Sequence, residues 1–414
     1  MNPTDLAVVG STHRLIDTTG DKGPFVVVHS LTTLLGVCLN RDMEGLPKAI
    51  VIGGTERMRV SSQSLIRAAR TRLRTQASLH EQGASSRLLP HLTAVRLQER
   101  GYDAADTIPA AALVVTAAGP SIDPAEPDKT RAMTYVAASA PAQLAELAAQ
   151  YWDDIKDARQ AMEILITEAV TAATTGKRSK KTKNGTKGAD LAGPTVKPTD
   201  LVPVAMAAAA REVFAPGLIE EIALFGRMLA EIPSGHVNGA ASVAHAFSVD
   251  PMELLTDEFT AKDDWQHSSS TGAGMIGEQY LTSGTLYRYA ALDRRALRAN
   301  LADSGADAAT VEKIAQRAEQ RFVTAMTYAL PSARGTRTGS AAWPTLAVAA
   351  TCNAPMTAGA AFETAITPPV GLEASERLAR YLHSAQLNGG TARWLSPANQ
   401  PAPSLPDAVR LEAH

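Results

Sequence analysis

Residues 39–74 read LNRDMEGLPKAIVIGGTERMRVSSQSLIRAARTRLR and lay out a loop, a strand, a glycine turn, a second strand and a helix. Ala49-Ile50-Val51-Ile52 is a short apolar run that stops at Gly53-Gly54, where glycine admits the positive φ of a tight turn. Arg57-Met58-Arg59-Val60 alternates charged and apolar residues, which sends both arginines off one face of a strand. Ser61 or Ser62 is placed to cap the helix that follows, on which Leu65, Ala68, Ala69 and Leu73 form one apolar stripe. Arg67, Arg70 and Arg74 stand at i, i+3 and i+7 on another face, and the whole stretch holds eight Lys/Arg against three acids. A helix N-terminus, two strand arginines and a row of helix arginines together suit a run of phosphates, because free backbone N–H groups and guanidinium forks both favour anions. Charge alone leaves a plain solvated basic face equally open.

At 414 residues the chain can form one elaborate domain or two to three smaller ones, and its 45% hydrophobic, 20% charged composition is that of a soluble globular protein. The net charge is only −2, yet residues 177–187 add six more cations and no acid, so basic patches stand out against an acidic remainder. Cys38 and Cys352 lie far apart and form no C-x-x-C pair, which argues against a disulfide scaffold or a cysteine zinc site and fits a reducing cytoplasm. No apolar segment approaches about eighteen residues and the N-terminus lacks a signal-peptide pattern, so a soluble intracellular protein is expected.

Working outward, residues 1–23 are polar and read as an extension. Phe25-Val26-Val27-Val28-His29 predicts a central strand with His29 as a core histidine, followed by a loop over residues 31–40. Residues 75–223 are helical in character, and one helix is predicted over 143–175 with Leu144, Leu147, Tyr151, Ile155, Ala158, Met162 and Leu165 as its apolar stripe. That helix runs into GKRSKKTKNGTKGADLAGPTVKPT, a low-complexity insert that is either a solubilising loop or a weak, sequence-blind hand on nucleic acid. A further helix is predicted over 200–213. Residues 250–282 form a polar stretch of few periodic features, and a loop of that length is usually functional. The segment GTLYRYAA, residues 284–291, alternates as a strand with Thr285, Tyr287 and Tyr289 on one face. Helices over 293–302 and 308–330, a basic loop over 331–339, a strand over 345–350 and helices near 358–366 and 373–386 complete the chain.

No Walker A, H-E-x-x-H, G-x-S-x-G or paired Cys/His metal spacing is present. The single G-x-G-x-x-G match, at Gly272, Gly274 and Gly277, follows a polar Gln266-His267-Ser268 run instead of an apolar strand and is read as a loop. His245 has an apolar neighbourhood and is read as a core residue. Nothing resembles an activated nucleophile or a tuned carboxylate pair, so binding without catalysis, cofactor or metal is expected.

The segments Leu39-Asn40-Arg41-Asp42, Lys48, Gly53-Gly54 and Arg57-x-Arg59-x-Ser61-Ser62-Gln63-Ser64-Leu65 closely resemble the backbone subunit of the type I-E CRISPR surveillance complex, Cascade. Gly226-Arg227-Met228, Ala244-His245-Ala246, Phe259-Thr260-Ala261 with Asp263-Asp264, and Ser283-Gly284-x-x-Tyr287-Arg288-Tyr289 extend the resemblance in family order from about residue 24 to residue 385. It implies an α+β, right-hand-shaped protein: a ferredoxin-like, RNA-recognition-type palm (residues 24–75, 221–249 and 283–414), helical fingers (76–220, with the basic insert at 176–199) and a projecting thumb loop (250–282). Copies would polymerise head to tail along a guide crRNA, beside the large, small, guide 5′-end and guide-processing subunits of Cascade, and present it to target DNA in antiviral defence. By the same resemblance Arg41, Lys48, Gln63, Arg67 and Arg70, with Arg57, Arg59, Arg227 and Thr260 in the matching motifs, would hold RNA. Met228 and the thumb residue Phe259 would wedge between bases, a contact that tolerates any sequence.

Two departures stand out. Ile66 occupies a position where the family usually has a basic residue, and the 176–199 insert has no firm counterpart. Its Lys177, Arg178, Lys180, Lys181, Lys183 and Lys187 are candidate contacts to DNA. Two other function classes are open: a type III backbone subunit that cleaves target RNA with a metal at Asp42, and a general single-stranded RNA-binding protein.

Overall fold

The apolar run that starts at Phe25 continues well past His29: β1 (Phe25–Val37) is 13 residues long, where a loop was expected from residue 31. Leu31, Thr32, Thr33 and Leu34 extend it because β-branched and apolar residues suit a pleated, two-sided core. β2 (Ala49–Ile52) and β3 (Thr55–Val60) follow as a hairpin, with Gly53 and Gly54 at φ +56° and +77°. A Cβ on Gly53 would stand 2.1 Å from the carbonyl oxygen of Glu363, so the turn needs glycine for space as well as for φ. α1 (Ser62–Arg74) is capped by Ser61 and buries Leu65, Ala69 and Leu73, as the spacing predicts.

Next come β4 (Gly83–Ser86), α2 (Leu89–Glu99), α3 (Ala104–Ala118), β5 (Thr134–Ala137), α4 (Ala140–Gln150), α5 (Lys156–Thr174), α6 (Val204–Val213) and α7 (Glu220–Phe225). β6 (Ala241–Val243), β7 (Ala246–Ser248), β8 (Leu255–Ala261), β9 (Met275–Asp293), α8 (Arg294–Ala302), α9 (Ala308–Tyr328), α10 (Gly335–Thr338), β10 (Leu346–Cys352), α11 (Val370–Ser384) and β11 (Ala392–Leu395) complete the chain. This computed structural model describes residues 23–78, 81–123, 125–174, 198–229, 231–232, 235–261, 275–332, 335–368, 370–384 and 392–395. Residues 1–22 of the extension and 176–197 of the basic insert, with its six candidate DNA-contacting cations, lie outside the described residues. No described helix is long and apolar enough to cross a membrane.

The chain divides into two units, and residues 1–76, 240–299 and 308–414 make the first. Its sheet runs β11-β10-β1-β9-β7-β3-β2, with β6 and β8 also paired to β9. Taken in chain order, β1, α1, β7, β9, α9 and β10 stand as β10-β1-β9-β7 in space with antiparallel neighbours, the ferredoxin-like split βαβ arrangement. The fold class is α+β. One sheet face packs Leu34, Met58, Val60 and Leu286 with Leu65 of α1. The other packs Leu31, Tyr287 and Val348 under Phe362, Leu378 and Leu382, so the sheet is closed on both sides.

Within the expected thumb loop, residues 255–261 and 275–282 are strand, and residues 262–274 lie outside the described residues. β8 pairs antiparallel with the first part of β9, from Leu255↔Leu281 to Ala261↔Met275. Almost every β8 residue is exposed. A ribbon wet on both faces needs no apolar–polar alternation, which is why its period is silent in the sequence.

Residues 77–239 and 300–307 make the second unit, which includes residues 221–239, grouped by the resemblance with the palm. α3 is buried on nearly all sides and so sits at the centre of a helical core with Leu97, Leu144, Ile155, Met206 and Phe214. The helix predicted over 143–175 is two helices, α4 and α5, with turns at 151–155. Leu144, Leu147, Ile155, Ala158 and Met162 all enter one core, so the apolar period runs through the break and hides it. β4 and β5 pair antiparallel in a section whose composition reads as helical.

Candidate nucleic-acid interface

The loop before β2 is built by short-range bonds. Arg41 and Pro47 form a β-bridge, Asp42 N donates to Leu46 O (3.0 Å) and Leu46 N to Asp42 Oδ1 (2.9 Å). Lys48 N donates to Asn40 O (2.8 Å), while Asn40 Oδ1 accepts the N–H of Ser61, the cap of α1 (3.0 Å). Asn40 therefore ties the loop to the helix start, and Arg41, Lys48, Gln63 and Arg67 share one tethered block. Arg41, Gln63 and Arg67 are exposed; Lys48, Arg59 and Arg70 are half-buried. Arg59 Nη1 donates to Nδ1 of His245 (3.1 Å), which is exposed and not the core residue expected. Exposed Arg41 and Arg67 thus stand by the start of a helix with no acid in its first turn, where positive charge is unopposed by the helix itself.

The structure places Arg57 and Arg227 in the interior, bonded to backbone carbonyls. Arg57 is fully buried: Nη1 donates to the carbonyls of Ser248 (3.1 Å) and Val249 (2.8 Å), and Nη2 to that of Glu363 (3.2 Å). Arg227 is 3% exposed and donates to the carbonyls of Gly235 (2.8 Å), Tyr135 (3.2 Å) and Phe214 (2.8 Å), and burial pushes its pKa down to about 10. Sequence missed a third case, Arg288, 5% exposed and bound to the carbonyls of Ala329 and Thr327, with its pKa also lowered by burial to about 10. Each guanidinium fork gathers carbonyls that would otherwise be buried unsatisfied. Nothing in an alternating R-x-R strand separates such an arginine from an exposed one. The distinction comes from residues 359–363, which lie over Arg57 but are some three hundred positions away in sequence.

The sheet face that carries His29, Phe247, Tyr287 and Tyr289 would be the stacking platform of an RNA-recognition-type sheet. Here it is shut. Tyr287 OH accepts the N–H of Ala358 (2.9 Å) and is bonded to His29 Nδ1 (2.9 Å), beneath Phe362 at 5.1 Å between ring centroids. Burial lowers the His29 pKa to about 4 and raises that of Tyr287. His29 is the core histidine expected.

Of the expected wedges, Met228 is 76% exposed and directly follows the anchored Arg227. Gly226 before it sits at φ +75°, 2.7 Å in Cβ terms from Gly239 N and Val237 O, which fixes the chain on that side too. Phe259 is less free: it lies opposite Gly277, and a Cβ there would meet its ring at 2.5 Å. The last glycine of the G-x-G-x-x-G match thus makes room for an aromatic ring on a ribbon, not for a phosphate. Thr260 beside it is exposed. Ile66 is half-buried on α1. Among the described residues no group of three or more His, Cys, Asp or Glu could hold a metal ion, and Asp42 Oδ1 is engaged by Leu46.

Comparison with known proteins agrees with the motifs. One solved chain, from a "CRISPR RNA-guided surveillance complex, pre-nicking", matches at 29% identity and a TM-score of 0.70, covering 91% of this chain and 94% of its own. Another, from a "CRISPR RNA-guided surveillance complex", matches at 26% identity and a TM-score of 0.61, covering 91% and 93%. No curated protein matches the chain. A family model described as CT1975-like protein matches residues 26–405, and the chain belongs to that family.

Proposed function

We propose that this chain is the non-catalytic backbone subunit of a type I-E Cascade complex, working in the cytoplasm, whose copies polymerise head to tail along crRNA beside the other Cascade subunits. One observation carries the reading: Asn40 joins the Arg41–Lys48 loop to the capped start of α1, so that Arg41, Lys48, Gln63, Arg67 and Arg70 offer one basic surface to a sugar-phosphate backbone. Contacts of this kind read no bases, which leaves the guide free to pair with target DNA. The likeness to chains of RNA-guided surveillance complexes supports the same role. RNA lies along the 39–74 block in this reading, since the aromatic sheet face is covered by the chain itself. Met228 and Phe259 each displace a base, Phe259 after its ring lifts from Gly277. Asp42 shapes its loop through Leu46 and takes no chemical part.

The test is co-expression of the tagged chain with its neighbouring subunits and a CRISPR array, followed by sequencing of the RNA that co-purifies. Uniform array-derived RNA in a multi-copy particle is the expected result. A nucleic-acid-free monomer overturns the reading, and Mg²⁺-dependent cutting of complementary RNA that Asp42→Ala abolishes would replace it with the cleaving subunit.

A further inference from the structure

On the far flank of α1 from Arg67 and Arg70 lies a small aromatic cluster that the guide-binding role does not use. Tyr328, at the end of α9, meets Trp343 edge to face, with ring centroids 5.4 Å apart and planes at 83°. The Arg72 guanidinium stands 5.4 Å from the centre of the Tyr328 ring. At about 100° per helical residue, Arg72 leaves α1 roughly 160° away from Arg70, so a strand lying on the Arg67–Arg70 row does not cover it. Trp343 is 59% exposed. It is a large amphipathic ring left in water beside a fixed cation.

Charge says what this cluster suits. Residues 57–80 and 320–362, which supply all three side chains, contain no Asp or Glu in a chain that has 42 of them. The same segments supply Arg321, half-buried with Nη2 on the carbonyl of Gln76, and exposed Arg337. A protein hot spot would sit within a ring of apolar neighbours. Among the described residues from Tyr328 to Thr345, Trp343 is the one large hydrophobic side chain that is exposed. A single free ring beside cations meets instead the needs of an unpaired nucleobase and its phosphate.

We propose that Trp343, Tyr328 and Arg72 form a second single-stranded nucleic-acid contact, separate from the α1 row, in which a base stacks on Trp343 while its phosphate lies toward Arg72. The contact tolerates any base and so fits a strand that is not paired to the guide. It goes beyond guide binding and is measured apart from it.

The purified particle, with its bound RNA, is titrated with oligothymidylate, which has no complement in the guide, while indole emission is followed. Quenching is expected in the natural sequence and is lost in Trp343→Phe, whose affinity stays within about twofold because a ring remains. Trp343→Ala weakens binding about tenfold, and Arg72→Gln lowers the salt slope by roughly 0.7, the share of one phosphate on a single strand. Co-purified RNA is unchanged in all three. Unaltered affinity and quenching in the Trp343 variants overturn the proposal. So does a Trp343→Ala particle that binds oligothymidylate normally but loses a subunit, which makes the cluster a protein contact. Should Trp343→Ala misfold, quenching in Trp343→Phe decides alone. A chain that purifies without RNA defeats the guide-binding reading only, and the same titration on that chain still tests this one.

Discussion

Arg67 and Arg70 on α1 differ from Arg57 on β3 in almost everything except residue type. The helix pair stands on a helix with no acid in its first turn, while Arg57, ten residues before Arg67, is sealed beneath Phe362 and Glu363 and spends its donors on backbone carbonyls. Arg227 and Arg288 share the second fate. An arginine in this chain is therefore as apt to cement a chain crossing as to face solvent. The two populations should separate cleanly under mutation, one losing stability and the other losing RNA.

The largest effect belongs to the buried set. Arg227→Met removes the partner of three carbonyls, and each buried acceptor left unsatisfied costs about 1–3 kcal/mol. A loss of about 3 kcal/mol or more is expected in chemical denaturation, with Arg57→Met close behind. A change below about 1 kcal/mol would return these arginines to the candidate RNA-binding set.

A second, smaller effect tests His29 in β1, a basic group that burial keeps neutral. Burial lowers the His29 pKa from 6.5 to about 4, so between those values the unfolded chain binds the proton and the native one does not. Stability that is fully present above pH 6.5 is lost as pH falls toward 4, by about 2 kcal/mol at pH 5. Denaturation at pH 7.5 and pH 5 in the natural chain and in His29→Gln isolates the term; equal pH dependence in both would mean that His29 contributes none of it.

For exposed Arg67 and half-buried Arg70, Arg67→Ser and Arg70→Ser should each weaken RNA binding about tenfold and lower the salt slope by roughly 0.7. Unfolding of Arg67→Ser should shift by less than about 0.5 kcal/mol, as for surface substitutions generally. A stability loss without an RNA effect would reverse the assignment.

Much of this was legible in the residues. The glycine hairpin, the Ser61 cap, the buried stripe of α1 and the core position of His29 follow from local rules that act within a few positions. The 39–74 block was visible in its own charge and period, whereas the α+β class came from the motif resemblance. What the chain hid was set by distant partners: the burial of Arg57 depends on Glu363, that of Arg227 on Tyr135 and Phe214, and the closed aromatic face on Ala358 and Phe362. Exposure on both sides concealed the β8–β9 ribbon for the opposite reason, since no partner imposes a period on it.

Phe259 stands midway between the two populations, with a small expected effect on stability. Its ring is half-buried only because Gly277 offers a bare backbone to lie on, and such a contact on a wet ribbon contributes little to folding. Phe259→Ala should therefore cost less than about 1 kcal/mol in denaturation while weakening RNA binding severalfold, the share of one stacked base. Gly277→Val presses on the same ring from below and displaces it without removing it. If the ring works by leaving Gly277 to stack on a base, Gly277→Val should preserve or improve RNA affinity. If it works only as a clasp for the ribbon, both variants should lower stability together and leave the affinity alone.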